Sequence, residues 1–477
     1  MGRHKKDEVR VSFVDSMASN DVTGSCTYIE SPHHKILVDC GTYQSDNMLE
    51  DFKVNKRHFK SFKPKELDTV FVTHNHLDHL GNIPRLYKEG YSGSIIMAKG
   101  NFEVAIPMLR DASFINQRDV ELINRQRKTN YKPIYTEEEA NIASAHIIEY
   151  PYREKIKIDD ELSFELFDAG HLYGSAQIKL YFTVNNVTRT ILFTGDIGNN
   201  VVDNKFVGKL DKVQQADIVV AESTYGDRPE LKTTNKERET DYRKIQTLID
   251  NVVIESHGRI LIPVFAQCRS QQMILMLYRL FKDNPKAPNF YLDSPLAVAV
   301  TQTYERILDG KEKEELIEAL NWDKIHLIAD VDESMGLVTE KQSGVYLSSS
   351  GFMNAGRVRK YLKNIIDDAN ACILFCGYSS PDSLAGIIRN PKTRTVTIDQ
   401  KIYKVRCQVN NLKSMSGHAP SNQLIDYYSH INCERIILNH GSESAKKTLS
   451  KNLEKELEKY CNTAKVVIAN NSMRFSL

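Results

Sequence analysis

Residues 71–86 read FVTHNHLDHLGNIPRL, and His74, His76, Asp78 and His79 crowd into six consecutive positions of that stretch. Imidazole and carboxylate groups suit a divalent cation and make poor material for an apolar core. His74 and His76 stand two apart after an apolar run, so both side chains leave a strand end on one side. Asp78 and His79 open a helix and point back to the same place. A lone histidine such as His33, His34, His58, His257 or His326 reads as a surface or hydrogen-bonded residue. Four donors packed as HxHxDH do not. Further ligands are expected where other apolar runs end: His171 after LFDAG, Asp196 in FTGD and His440 in ILNH. Taken singly, an FTGD aspartate would be a turn residue. Asp39 in LVDCG reads as a carboxylate that orients a histidine through its other ring nitrogen.

These side chains need strands to deliver them. VRVSFV, SCTYIE and KILVDC read as strands, the last two joined by a Ser-Pro-His-His turn. LDTVFVT ends at the histidine corner, LSFELFDAGH at His171, RTILFTGD at Asp196 and DIVVAES at Glu222. Thr136 and Glu139 form the capping box of a helix. From about residue 225 the texture changes to strands alternating with amphipathic helices, the pattern of parallel βαβ units. After it, SGHA and IILNHGS resume the style of strands ending in histidine, and Leu449, Leu453 and Leu457 mark an amphipathic helix. We expect one domain interrupted by another: residues 1–224 and 406–477 around an insert at 225–405.

Lys and Arg total 63 against 62 Asp and Glu, so overall charge neither recruits nucleic acid nor forbids it, and any basic groove must be local. Apolar residues make up 41% of the 477-residue chain, enough for a large buried core. No segment approaches the roughly 20 apolar residues a membrane helix needs, and the charged start, MGRHKKDEVR, predicts no signal peptide. The eight cysteines are scattered, and Cys372 and Cys376 lie in an apolar run. That pattern predicts buried thiols in a reducing, cytoplasmic setting.

HNHLDH with LVDCG upstream, and H, D and H on later strands, resembles the metallo-β-lactamase fold. VVAESTYGDR, FAQCRSQQ, YLDSPLA, SSSGFMNAGRV, FCGY, SGHA and NHGS, in that order, resemble the β-CASP branch of it, which includes RNA-processing nucleases; the likeness runs from about residue 10 to 442. The resemblance implies an α/β chain: an αββα sandwich with an inserted parallel-sheet β-CASP domain. It implies two zinc ions, one held by His74, His76 and His171, the other by Asp78, His79 and His440, with Asp196 bridging. Glu222 and His418 would form a general-acid pair, with Asp78 also counted among the catalytic residues. A histidine at position 440 is associated with RNA-active members, where DNA-repair relatives usually carry valine.

The expected activity is a zinc-dependent ribonuclease working by a two-metal hydroxide mechanism, endonucleolytic with 5′–3′ exonuclease action in addition. Two zinc ions among five neutral histidines and two aspartates leave a charge of about +2, which favours a phosphate and its transition state. Ser349, Ser350, Gly351 and Arg357 form either a phosphate cradle at a strand-to-helix turn or a polar cap ending a strand. RNA is the expected partner, read by backbone and shape, and the resemblance makes a homodimer one expected arrangement. Three alternatives stand beside this reading: a DNA nuclease of the same branch, an ester or thioester hydrolase on the same fold, and a non-catalytic RNA-binding scaffold. Pro229 and Glu230, where many relatives carry histidine, and SSPDSLAG after FCGY depart from the family pattern. The likeness beginning near residue 10 predicts no N-terminal RNA-binding module of the kind some archaeal relatives carry.

Overall fold

The computed structural model describes residues 8–14, 22–45, 47–57, 59–199, 206–228, 235–377, 379, 383–470 and 473–477. His58, Pro229, Glu230 and part of the segment after FCGY lie outside the described residues. The chain divides into two compact units: Met1–Asn200, Val207–Glu230 and His418–Leu477 form the first, Val201–Phe206 and Leu231–Gly417 the second.

The first unit is built on two seven-stranded sheets. In one, Arg10–Phe13, Thr27–Glu30 and Lys35–Val38 form an antiparallel meander, continued in parallel by Thr69–Phe71, Ser94–Ala98 and Ile147–Tyr150. In the other, Leu162–Asp168, Ala176–Val184 and Val187–Phe193 are antiparallel, followed in parallel by Ile218–Glu222, Arg435–Asn439 and Lys465–Ile468. Neighbouring residues on a strand face opposite ways, and both faces are buried. Phe71, Ile96, Val220 and Ile437 meet between the sheets. Val70 and Ile95 face outward onto a layer containing Leu80, Leu86, Leu109 and Ala140, while Val219 and Ile436 pack on Tyr428, Leu449, Leu453 and Leu457. Covering on both sides is why these strands read as unbroken apolar runs. The result is the expected αββα sandwich.

Helix ends follow their sequence signals. Glu137–Ala145 opens on the Thr136–Glu139 capping box, and Ser442 caps Glu443–Lys459 by accepting from the Ala445 N–H.

The second unit holds a six-stranded sheet in the order Ile325–Ile328, Phe290–Asp293, Gly344–Ser348, Arg259–Pro263, Cys372–Phe375, Gln408–Asn411. Every pairing is parallel, with helices such as Arg269–Phe281 and Pro295–Ile307 between the strands. Cys372 and Cys376 are buried, as the apolar run around them suggested. Cys461 corrects the expectation of buried thiols throughout: it sits exposed just beyond the helix end at Lys459.

Candidate metal centre

Parallel strands share one C-terminal edge, and the donors gather there. His171 lies just past Leu162–Asp168, Asp196 just past Val187–Phe193, and His440 follows Arg435–Asn439 directly, while Glu222 ends its own strand. His74 and His76 follow Thr69–Phe71 on the facing sheet, and the short helix Leu77–Leu80 carries Asp78 and His79. Residues far apart in sequence are thereby brought to one rim.

Two donor sets result. In the first, Nδ1 of His76 lies 3.1 Å from Nε2 of His74 and 3.4 Å from Nε2 of His171. Asp196 Oδ2 is 3.6 Å from Nε2 of both His74 and His171. In the second, Nε2 of His79 and His440 are 3.2 Å apart, and Asp78 Oδ2 is 3.4 Å from Nε2 of His440 and 3.8 Å from that of His79. Asp196 Oδ1 reaches this set at 3.4 Å from His79. A tetrahedron with bonds of about 2.0–2.1 Å has edges of about 3.4 Å, so His74, His76, His171 and Asp196 have the spacing of four ligands around one cation, and Asp78, His79 and His440 that of three around another. Asp196 Oδ1 is buried and accepts no hydrogen bond, as expected of an oxygen facing a cation. Nitrogen and carboxylate donors of this kind suit zinc and its first-row neighbours.

Protonation without metal shows the same strain. Burial holds His76 down at about pKa 4 and His74 well below the usual histidine range. Burial also opposes the charged forms of His79 and His440, but the neighbouring carboxylates, Asp196 foremost, outweigh it and raise both. Asp78 falls to about 2 and Asp196 well below the carboxylate range, because the facing imidazoles overcome the burial cost.

The supporting contacts fix which nitrogen faces inward. Nδ1 of His79 donates to Asp39 Oδ2 at 2.7 Å, which turns Nε2 toward the centre. The Thr73 hydroxyl lies 3.1 Å from both Asp39 oxygens and 3.1 Å from Nδ1 of His74. It donates to the carboxylate and accepts from the ring, so one aspartate steers a ligand in each set. Thr224 Oγ1 stands 3.2 Å from Nδ1 of His440. Sequence reading missed both threonines; the one available signal was their place beside a ligand or at a strand end. Asp39 and His440 also hold positive φ, 62° and 48°, an uncommon backbone state fixed by tertiary structure.

The mouth is set by exposure. Asp78 keeps 21% and His418 16% of its side chain exposed, against 6% or less for His74, His79, His171, Asp196 and His440. His418 is held by backbone pairing with Gly198. Its Nδ1 lies 3.4 Å from Glu222 Oε2, and that carboxylate raises the imidazole pKa against the opposing effect of burial. Glu222 is itself fixed by the Ile197 and Thr224 N–H groups.

The Ser349–Arg357 turn belongs to the second unit and is tied internally. Arg357 is a correction to the phosphate-cradle reading: Nη1 donates to buried Asp293 at 2.6 Å, and both terminal nitrogens bond carbonyls of Ile328 and Ala329. The Ser350 N–H bonds Ala355 O at 3.3 Å, Ser349 Oγ pairs with Ser294 at 2.5 Å, and Gly351 packs against the Phe265 ring. A guanidinium so engaged has little left to offer an anion.

The comparisons with known proteins agree with this architecture. Residues 20–204 match the metallo-beta-lactamase superfamily, residues 270–388 the Beta-Casp domain, and residues 402–466 a Zn-dependent metallo-hydrolase RNA specificity domain. The chain therefore belongs to the β-CASP branch of the metallo-β-lactamase family, as a metal-dependent hydrolase. It is 30% identical to a protein named Ribonuclease TTHA0252 of Thermus thermophilus, over 91% of this chain and 94% of that one. It is 30% identical to an RNase J-like protein of Methanocaldococcus jannaschii over 87% of this chain and 89% of the relative. A transcription termination factor FttA of the same organism matches at 26% over 91% of this chain and 67% of its own length. A solved protein of unknown function from Enterococcus faecalis shares the fold, with TM-score 0.52, 14% identity and coverage of 98% and 100%. Among the described residues no helix is long and apolar enough to cross a membrane.

Proposed function

We propose that this protein is a two-zinc ribonuclease that cuts RNA phosphodiester bonds internally, with 5′–3′ exonuclease action in addition. The observation that carries the reading is a four-donor set beside a three-donor set, with one oxygen of Asp196 turned to each and a carboxylate–imidazole pair at the mouth. Relatives named as ribonucleases support RNA as the substrate.

His74, His76, His171 and Asp196 would hold one ion, and Asp78, His79 and His440, with Asp196 alongside, would hold the other. When bound, the ions supply Lewis acidity at the phosphate and a nucleophile at neutral pH. The chain does the rest. Asp39, Thr73 and Thr224 keep the ligand rings in one tautomer and orientation. Glu222 lies 3.4 Å from Nδ1 of His418 and favours the protonated ring, whose Nε2–H protonates the departing 3′ oxygen as its bond to phosphorus breaks. The products are a 5′-phosphate and a 3′-hydroxyl. His76, Asp78 and His418, the partly exposed members, face the incoming strand.

The test is cleavage of 5′-labelled RNA and matched DNA by the wild type and His440→Ala, with metal content measured on both. RNA cleavage by the wild type, loss in the variant and about two zinc per wild-type chain are expected. A metal-loaded wild type that cuts DNA in preference, or esters alone, overturns the assignment.

A further inference from the structure

The helix Phe102–Arg127 is 26 residues long, about 39 Å at 1.5 Å per residue. Arg110, Phe114, Arg118, Glu121, Arg125 and Lys128, its C-cap, are all exposed. Their spacings, four or three residues, average the 3.6 of a helical turn, so they form one straight stripe. A solvated face would carry balanced charge and small or polar residues. This one carries four cations against one acid in a chain whose net charge is +1, and its aromatic ring is 64% exposed. The helix dipole accounts for Arg125 and Lys128 near the C-terminus, but not for Arg110 and Arg118 further up.

The cations are lightly engaged. Arg118 touches Asp119 at 3.1 Å, and Arg110 meets Asn141 at 2.9 Å and Glu137 at 3.8 Å on open surface, contacts that a phosphate readily replaces. Arg125 and Lys128 have no ion pair among the described residues. Beyond them Lys56 lies over the Tyr131 ring at 5.1 Å, and Arg57 is exposed.

The stripe is anchored to the metal corner. Asn75, between His74 and His76, donates to Asn101 O at 3.2 Å, and the Asn101 side chain donates to Gly174 O at 2.6 Å, in the loop after His171. Asn101 is the residue before the helix starts. The helix therefore leads away from the centre with cations at intervals and a ring between two of them.

We infer that this face is a contact track for the RNA strand beyond the scissile bond: Phe114 stacks on a base, and Arg110, Arg118, Arg125 and Lys128 neutralise backbone phosphates. The inference rests on the ribonuclease reading. Base stacking on an exposed ring and cation contacts to the backbone are sequence-tolerant and salt-sensitive, which suits a nuclease that reads shape.

The test uses the metal-loaded full chain on a long unstructured RNA and on a short oligonucleotide that reaches only the metal corner. Phe114→Ala should raise KM for the long RNA about tenfold, as the loss of one stacked base predicts. The triple substitution Arg110→Gln, Arg118→Gln, Arg125→Gln should flatten the dependence of log affinity on log salt by about 2. Both variants should keep wild-type kcat/KM on the short substrate and wild-type metal content. Unchanged KM and salt slope on the long RNA overturn the track, as does an equal loss on both substrates. A wild type that cleaves neither RNA defeats the ribonuclease reading itself, an outcome distinct from either.

Discussion

Asp196 and Asp293 pose the same problem with opposite solutions. Both are buried carboxylates at the C-terminal end of a strand, 2% and 0% exposed. Asp293 is saturated: Arg357 donates at 2.6 Å, Ser334 at 2.7 Å and Tyr361 at 2.5 Å. Asp196 faces imidazoles of His74, His79, His171 and His440 at 3.3–3.6 Å, and its Oδ1 accepts no hydrogen bond. A buried charge must be paired or must bind a cation. Asp293 takes the first course, so the turn it anchors is architecture. The surroundings of Asp196 supply the second.

The largest expected effect breaks the comparison at Asp196. Asp196→Asn removes a shared ligand from both sets, and activity on RNA should fall by on the order of 10³-fold or more, with metal content collapsing in elemental analysis. Retention of the wild-type metal content would make the aspartate architectural after all. Asp293→Ala should do the converse. It strands the Arg357 guanidinium, 11% exposed, in the second unit, and loss of one partner of a buried pair costs about 3–5 kcal/mol. Denaturant unfolding should record that loss while the metal content of the folded protein stays at the wild-type level.

This pair also marks what the sequence could and could not say. The strands and the parallel sheet of the insert were legible because periodicity and the placing of turns report directly on them, while the αββα sandwich came from the resemblance carried by HNHLDH and LVDCG. The His74–His79 corner was legible because four donors in six positions have no ordinary structural use. Asp196 and Asp293, in FTGD and YLDS, look alike in one dimension; what separates them is whether arginine and tyrosine or histidines arrive from distant segments. Arg357 stayed open between a phosphate contact and a polar cap for that reason, since its proximity to serines and a glycine along the chain hid its tie to a strand 64 residues away. Thr73 was passed over because a hydroxyl next to a ligand carries no signal until its partners are in place.

Thr73 sharpens the comparison further, since it links Asp39 to His74. Thr73→Val deletes the acceptor that holds the tautomer of His74 and leaves Asp39 bonded to His79. Metal affinity should drop about 10- to 100-fold, the usual cost of losing such support, read by competition with a chelator. Thr73→Ser should restore it, because the hydroxyl does the work. Equal affinities for wild type and Thr73→Val would mean that packing alone orients His74.

The smallest effect is the pH dependence of stability in the metal-free protein, and it has a sign on each side. His76, depressed to about 4, stays neutral in the folded state while an unfolded histidine protonates near 6.5. His74 is depressed in the same way. As pH falls below about 6.5, the unfolded chain takes up these protons first and stability declines toward pH 4. His79 and His440 are raised, so their stabilisation is complete below about 6.5 and is lost as pH rises through their folded values. Melting temperature against pH should therefore peak near 6.5 in chelator-treated protein. Bound cations replace the imidazolium charge beside Asp196, so metal loading should flatten the alkaline arm. A metal-free profile that rises steadily through pH 8 would show that the carboxylates around Asp196 do not hold His79 and His440 protonated.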